Sequence, residues 1–222
     1  MESTSSISLA ERITYYLTTL LQGVGMTIGI TVGAFLIAFV LGLALALFRL
    51  SKIPGARIVV TTYVEFFRGL PALTQLFILY FGLTYIGVRL DPVTTAIVGL
   101  GLIGAAYCCE IFRSGFSALH HGQREAAVSV GMTPLQAMRY VLFPQAMKVT
   151  LPSLASYLIG LIKETAVASA VAAPEILFRA RNLTSETMDT PVIYMVVAAL
   201  YFAMTFPIAR WVDHLERKKR WS

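Results

Sequence analysis

The sequence predicts an all-α integral membrane protein with about five transmembrane helices, and three observations carry that reading. Of the 222 residues, 57% are hydrophobic and only 14% charged, against about a quarter charged in an ordinary soluble domain. Charge is absent over long stretches, the longest running from Ile13 to Phe48. The basic residues, which leave a net charge of +6, gather between such stretches rather than within them. The same figures exclude an extended disordered chain, which needs low hydrophobicity. A disulfide scaffold is excluded too, because the two cysteines, Cys108 and Cys109, are neighbours and cannot staple a chain of this length.

A helix needs roughly 20 apolar residues to cross about 30 Å of hydrocarbon. Inside lipid every backbone polar group must be paired, so long apolar runs read as helices. Spans are expected near 22–48, 58–86, 92–112, 150–172 and 191–211, in a single domain covering 1–222. The first rests on the Ile13–Phe48 run and is long enough to begin outside the bilayer or to tilt. The second holds the charge-free stretch Gly69–Val88, and the third Pro92–Cys109. The fourth follows Val149 and is interrupted only by Lys163 and Glu164; the fifth holds Thr190–Ala209. Ahead of the first span, Glu2, Glu11 and Arg12 lie among serines and threonines, without the basic start and cleavage pattern of a signal peptide. The first helix is therefore expected to be retained.

Lys and Arg set the orientation. Arg49, Lys52 and Arg57 follow the first span, and Arg113, Arg124, Arg139 and Lys148 follow the third. Arg210, Arg217, Lys218, Lys219 and Arg220 form the tail, which puts twelve of the eighteen basic residues on one side. Arg12, Arg89, Arg179 and Arg181 lie on the other. The positive-inside rule then places the N-terminus outside and the C-terminus in the cytoplasm. The basic tail reads as an orientation signal in contact with anionic membrane lipid, not as a nucleic-acid patch.

The connector 113–148 is far longer than a span-to-span turn requires. Residues 123–130 read as a short helix that Gly131 ends in a left-handed turn. Thr133 then caps a second helix with Pro134 at its first position, and Leu135, Met138 and Leu142 give that helix an apolar stripe. A folded connector at the membrane face suggests a docking surface.

The spacing Glu125-Ala126-Ala127, Gly131, and then Val141-Leu142-Phe143-Pro144 after nine residues resembles the signature loop of ABC-importer permeases. Val141 and Phe143 stand where the family has Ile and Leu. Tyr63-Val-Glu65-Phe-Phe-Arg68-Gly69-Leu70-Pro71, Ala106-Tyr107 through Glu110-Ile111-Phe112-Arg113, Gly122-Gln123 and Leu161-Ile162-Lys163-Glu164-Thr165 are similar to motifs of its polar amino acid branch. Here Leu70 replaces Thr, and Ala166-Val167 replaces Ser-Leu. The resemblance implies a type I ABC-importer permease fold, multi-pass in the bacterial inner membrane. It implies Gly122, Gln123, Glu125, Ala126, Ala127, Gly131 and Pro144 as residues that couple to an ATPase. The partners it implies are an ATP-binding subunit dimer, a second permease (identical or paralogous), an extracytoplasmic solute-binding protein and a small zwitterionic substrate. No Gly-x-x-x-x-Gly-Lys-Ser/Thr stretch occurs in the chain. Catalytic residues, a metal and a cofactor are therefore not expected on it, and ATP and Mg²⁺ are expected on the partner ATPase.

Ionisable residues inside spans are functional candidates by default. Glu164 and Arg68 are each expected near the midplane, at similar depth, where an acid would suit the ammonium and an arginine the carboxylate of a zwitterion. Glu65, Gln75, Lys163 and Thr165, in the same motifs, complete the candidate substrate path. Two structural readings stay open: Glu65 and Arg68 are three apart and can pair on one helix face, and Gly69 with Pro71 can break the helix, leaving Arg68 in an elbow. Glu110 and Arg113, at the same spacing, read as a structural pair near the cytoplasmic end.

Gly25, Gly29 and Gly33 read as a small-residue stripe for close helix packing, Cys108-Cys109 as a small buried pair, and Tyr157, Tyr194 and Tyr201 as packing. His120-His121 has no further ligand at metal spacing. Two alternatives to the amino acid importer remain: a carrier driven by ions or protons, and an ABC permease for an opine- or ectoine-like substrate. Inverted repeats, the mark of many such carriers, are not evident. A membrane enzyme would need a cluster of nucleophile, base or metal ligands, and none is seen.

Overall fold

A computed structural model of the chain describes residues 8–51 and 53–220. Glu2 and Lys52 lie outside the described residues, as do the side chains of His121 and of the basic tail 215–220. Among the described residues the structure is helical throughout, without a strand. Four helices are long and apolar enough to cross a membrane, and a bent pair raises the number to five.

The first helix, α1 (Leu9–Leu50), runs unbroken for 42 residues. It begins at Ser8, whose hydroxyl accepts the Glu11 amide while the Glu11 carboxylate takes the Ser8 amide, a reciprocal cap. Its buried face is made of small residues at three- and four-residue spacing: Gly23, Thr27, Thr31, Ala34, Ala38, Gly42 and Ala46. Against that face lies α4 (Pro92–Ser117), rich in Gly, Ala and Cys on its own buried side. A Cβ on Gly42 would stand 2.9 Å from the Ala105 carbonyl oxygen, and one on Gly101 2.8 Å from the Ile37 side chain. Small residues let the two backbones approach this closely.

Of the stripe expected at Gly25, Gly29 and Gly33, only Gly33 packs against a neighbouring helix of this chain. Gly25 and Gly29 are exposed, with nothing within 4 Å of where a Cβ would sit, and Gly33 meets only the Ile97 side chain. The true face is the one through Gly23 and Gly42. A repeat of four identifies a stripe but not what it touches.

Where the sequence reads one span over 58–86, the structure has two helices, α2 (Ala56–Gly69) and α3 (Ala72–Tyr85), bent by 102°. Pro71 supplies no N–H to continue the ladder, and Leu70 ahead of it is pushed to extended backbone, φ −108° and ψ 140°. The carbonyls orphaned by the break are taken by Gln75, whose side-chain amide donates to Phe67 O at 2.9 Å and Leu70 O at 2.8 Å.

The connector after α4 holds one short helix and the beginning of a long one. Helix α5 (His121–Ser129) is followed by Gly131 at φ +80°, and α6 (Pro134–Val171) starts at a reciprocal cap between Thr133 and Gln136. Helix α6 includes a π-helical turn at Met138–Leu142 and tightens into a 3₁₀ stretch over Thr165–Val171. The sequence reading missed α7 (Ile176–Thr187), which Glu175 caps and which packs Ile176, Ala180 and Leu183 inward. Helix α8 (Thr190–Arg220) closes the chain.

The buried residues form three cores, and α1 enters each. Tyr16 and Leu20 meet α7 and α8, Ile30 and Ala34 meet α3, α4 and α6, and Ala38 and Ala46 meet α2 and α4.

Candidate functional site

Helix α6 has two unlike faces. Leu154, Ala155, Leu161 and Ile162 are buried, whereas Ser153, Ser156, Gly160 and Lys163 are exposed and Glu164 is half-buried. Ser153, Ser156, Gly160 and Lys163 recur at three, four and three positions, with Glu164 four beyond Gly160, and so form one stripe along the helix. Hydroxyls, a glycine and charges on the open face of a spanning helix are costly against lipid. This face is suited to water or to a second chain.

The candidate path residues are not equivalent. Glu164 and Lys163 stand on the open stripe. Thr165 does not: it is fully buried and its hydroxyl donates to Ile162 O at 2.7 Å. Gln75 is 9% exposed and both of its amide bonds go to the elbow carbonyls. Glu65 is exposed, and among the described residues it forms no ion pair with Arg68. Arg68 instead lies with its guanidinium carbon 5.2 Å from the centre of the Tyr107 ring on α4.

Arg68 and Glu164 do not share a chamber. Arg68 lines a cavity of about 430 Å³ together with Tyr107, Glu110, Arg113, Thr150 and Ser153, and Glu164 is not among its walls. Tyr107 stacks on Tyr157, ring centres 5.9 Å apart, and Tyr157 precedes Glu164 by seven residues, about 10 Å along the helix. The two charges therefore line different spaces, and the elbow at Pro71 holds Arg68 beside α4, against Tyr107. Glu110 is paired as expected with Arg113, at 2.8 Å, and also with Arg49 of α1, at 2.5 Å.

The connector has the opposite character. Gly122, Gln123, Glu125, Ala126, Gly131 and Pro144 are exposed and Ala127 is buried. A bond of 2.9 Å from the Gln145 amide to Gln123 Oε1 fastens α5 to α6. Around them four large apolar side chains stand open: Val128 (57%), Val130 (73%), Leu135 (77%) and Tyr140 (63%). Of the apolar stripe expected at Leu135, Met138 and Leu142, Leu135 stands open and the other two are half-buried. Clustered apolar exposure around the turn between α5 and α6 marks an interaction surface.

The family described as binding-protein-dependent transport system inner membrane component matches residues 38–221. The probable amino-acid ABC transporter permease protein YckA of Bacillus subtilis (strain 168) is 38% identical over 199 residues, covering 90% of this chain and 88% of that protein. The arginine transport system permease protein ArtQ of the same organism is 32% identical, covering 90% and 91%. Among solved structures, an amino acid ABC transporter crystallised with histidines superposes with a TM-score of 0.88 at 34% identity, over 96% of this chain and 99% of that one. The inward-facing MetNI methionine ABC transporter, at 23% identity and TM-score 0.77 over 96% and 99%, shares the fold. With its all-helical architecture, its broken second span and this match over most of its length, the chain belongs to the binding-protein-dependent transport system inner membrane components.

Proposed function

We propose that the chain is the permease subunit of an ATP-driven importer for a polar amino acid or a related zwitterion. The family supplies the inner-membrane setting; the cargo class is supported by the names of relatives such as YckA and ArtQ. In this reading a separate ATP-binding subunit pair carries ATP and Mg²⁺ and docks on residues 122–144. An extracytoplasmic binding protein delivers the cargo, and a second permease faces the open stripe of α6. The N-terminus lies outside and the C-terminus in the cytoplasm.

The observation that carries the coupling is the exposed apolar set Val128, Val130, Leu135 and Tyr140 around Glu125 and Gly131. Nothing among the described residues covers it, and its cap and turn hold it as a preformed shape. Closure of an ATPase pair would move that shape as a body and so rock the permeases between outward and inward access. Glu164 is the path residue we assign to the cargo's ammonium, being an acid on the open stripe.

Purification of the chain co-expressed with its ATP-binding subunit tests the docking: Glu125→Lys and Gly131→Trp should each release the ATPase. Proteoliposomes with ATP inside and binding protein outside test the cargo. Uptake of one zwitterion from a panel is expected, and Glu164→Gln should reduce it or change its profile. Uptake indifferent to the ATPase would sink the proposal.

A further inference from the structure

The cavity between the end of α2, the later half of α4 and α6 is not used by Glu164, and its charges do not cancel. Both oxygens of Glu110 are occupied, Oε1 by Arg49 and Oε2 by Arg113, so two cations already answer one acid. Arg68 adds a third, and among the described residues no ion pair holds it. Its guanidinium rests on Tyr107, which stacks at 19° on Tyr157, and Tyr157 stacks in turn on Phe35. A planar cation laid on a supported ring is fixed in orientation while its N–H edges stay free. Such an edge binds a carboxylate with two parallel hydrogen bonds. The hydroxyl-bearing residues Ser114 and Ser153 stand in the same wall.

We propose that this cavity is a carboxylate-binding station, separate from Glu164, that holds the acid end of an amino acid during passage. It rests on the transport reading given above. Ser153 in its wall and Glu164 are eleven residues apart, about 16 Å along α6, whereas the ammonium and carboxylate of an amino acid sit on one carbon. A single cargo molecule therefore visits the two places in turn. The station offers the ammonium no free acid, since Glu110 is fully engaged. It accepts the carboxylate, with or without an amino group, and refuses the corresponding amine.

The test is the rate at which N-ethylmaleimide modifies Ser153→Cys, or Ser114→Cys as a second position, in membrane vesicles holding the full transporter. The native thiols Cys108 and Cys109, both 0% exposed, stay in place. A mixture of L-amino acids, and equally their N-acetyl derivatives, should slow modification severalfold. Agmatine, putrescine and ethanolamine should not, and Arg68→Gln should abolish the protection while Arg68→Lys keeps part of it. A cysteine that is not modified at all, equal protection by amines, or protection that survives Arg68→Gln overturns the station. So does a rate set by the phosphatidylglycerol content of the vesicles rather than by amino acids, which would assign the cavity to a lipid phosphate. None of these outcomes touches the transport reading, which stands or falls on ATPase-dependent uptake by the unmodified chain.

Discussion

The hydroxyl of Tyr201 donates to the carboxylate of Glu175 across 2.9 Å, tying the middle of α8 to the first turn of α7. The same carboxylate accepts the amides of Leu177 at 2.9 Å and Phe178 at 2.7 Å. The next amide, Ile176, donates to Thr27 Oγ1 on α1 at 3.3 Å. A fully buried acid thus answers three donors and joins α7 to α8, while the neighbouring Ile176 amide ties α7 to α1. Glu175→Ala strands all three donors and should cost on the order of 3 kcal/mol, whereas Tyr201→Phe removes one bond and should cost about 1–2 kcal/mol. Thermal unfolding of the detergent-solubilised protein gives the order; equal losses would contradict it.

Gln75 closes the elbow by a different route. Replacing it with Leu keeps the volume roughly but leaves Phe67 O and Leu70 O without their donor, a loss of about 1–3 kcal/mol. Gln75→Glu should be worse, since a carboxylate would then face two carbonyls. Because Arg68 lies between those carbonyls in the chain, both variants should also weaken uptake. If Gln75→Leu unfolds at the wild-type temperature, the clasp is unimportant.

The glycines of α1 separate cleanly by face. Gly42→Ala places a methyl 2.9 Å from the Ala105 carbonyl oxygen and 3.0 Å from the Cys109 amide, backbone atoms that cannot turn away. Overpacking of this kind costs about 1–3 kcal/mol. Gly29→Ala meets open space and should be neutral or stabilising by up to about 1 kcal/mol, because alanine is the better helix former. A comparison of unfolding temperatures decides, and the expected signs are opposite.

Asp189, in the loop between α7 and α8, carries the pH prediction. Burial pushes its carboxyl up, but bonds from Arg12 and from the Tyr16 hydroxyl outweigh it and hold the group below the ordinary aspartate value. A depressed acid stabilises the fold above its unfolded value, about pH 4, and loses that contribution as pH falls through the folded value. Between neutral pH and about pH 3 the wild type should therefore lose more stability than Asp189→Asn. Parallel curves for the two proteins would remove Asp189 from the acid response.

Much of this was legible in the sequence because it is local. The apolar runs, the Gly131 turn, the Thr133 cap and the Glu110–Arg113 pair each depend on residues a few positions apart. The remainder depends on distant partners. Ile176, Ala180 and Leu183 are too sparse among polar neighbours to announce α7, and they acquire meaning only against Tyr16 and Leu20. Pro71 signals a break but not its angle, which goes with the reach of Gln75. Arg68 has an acid three residues away and yet lies on Tyr107, thirty-nine positions on. Local spacing left both the pair and the elbow open, and the tertiary structure selects the elbow.

One consequence concerns α1. At 1.5 Å per residue its 42 residues make a rod of about 63 Å, roughly twice the hydrocarbon thickness. That rod is shared by all three cores. A beam embedded at three points cannot hinge between them without opening a core. Tyr16 at one end and Ala46 at the other are thus seated in different cores by one continuous helix. The two interruptions of the helical frame near the site, the elbow at Pro71 and the turn at Gly131, both lie outside this rod.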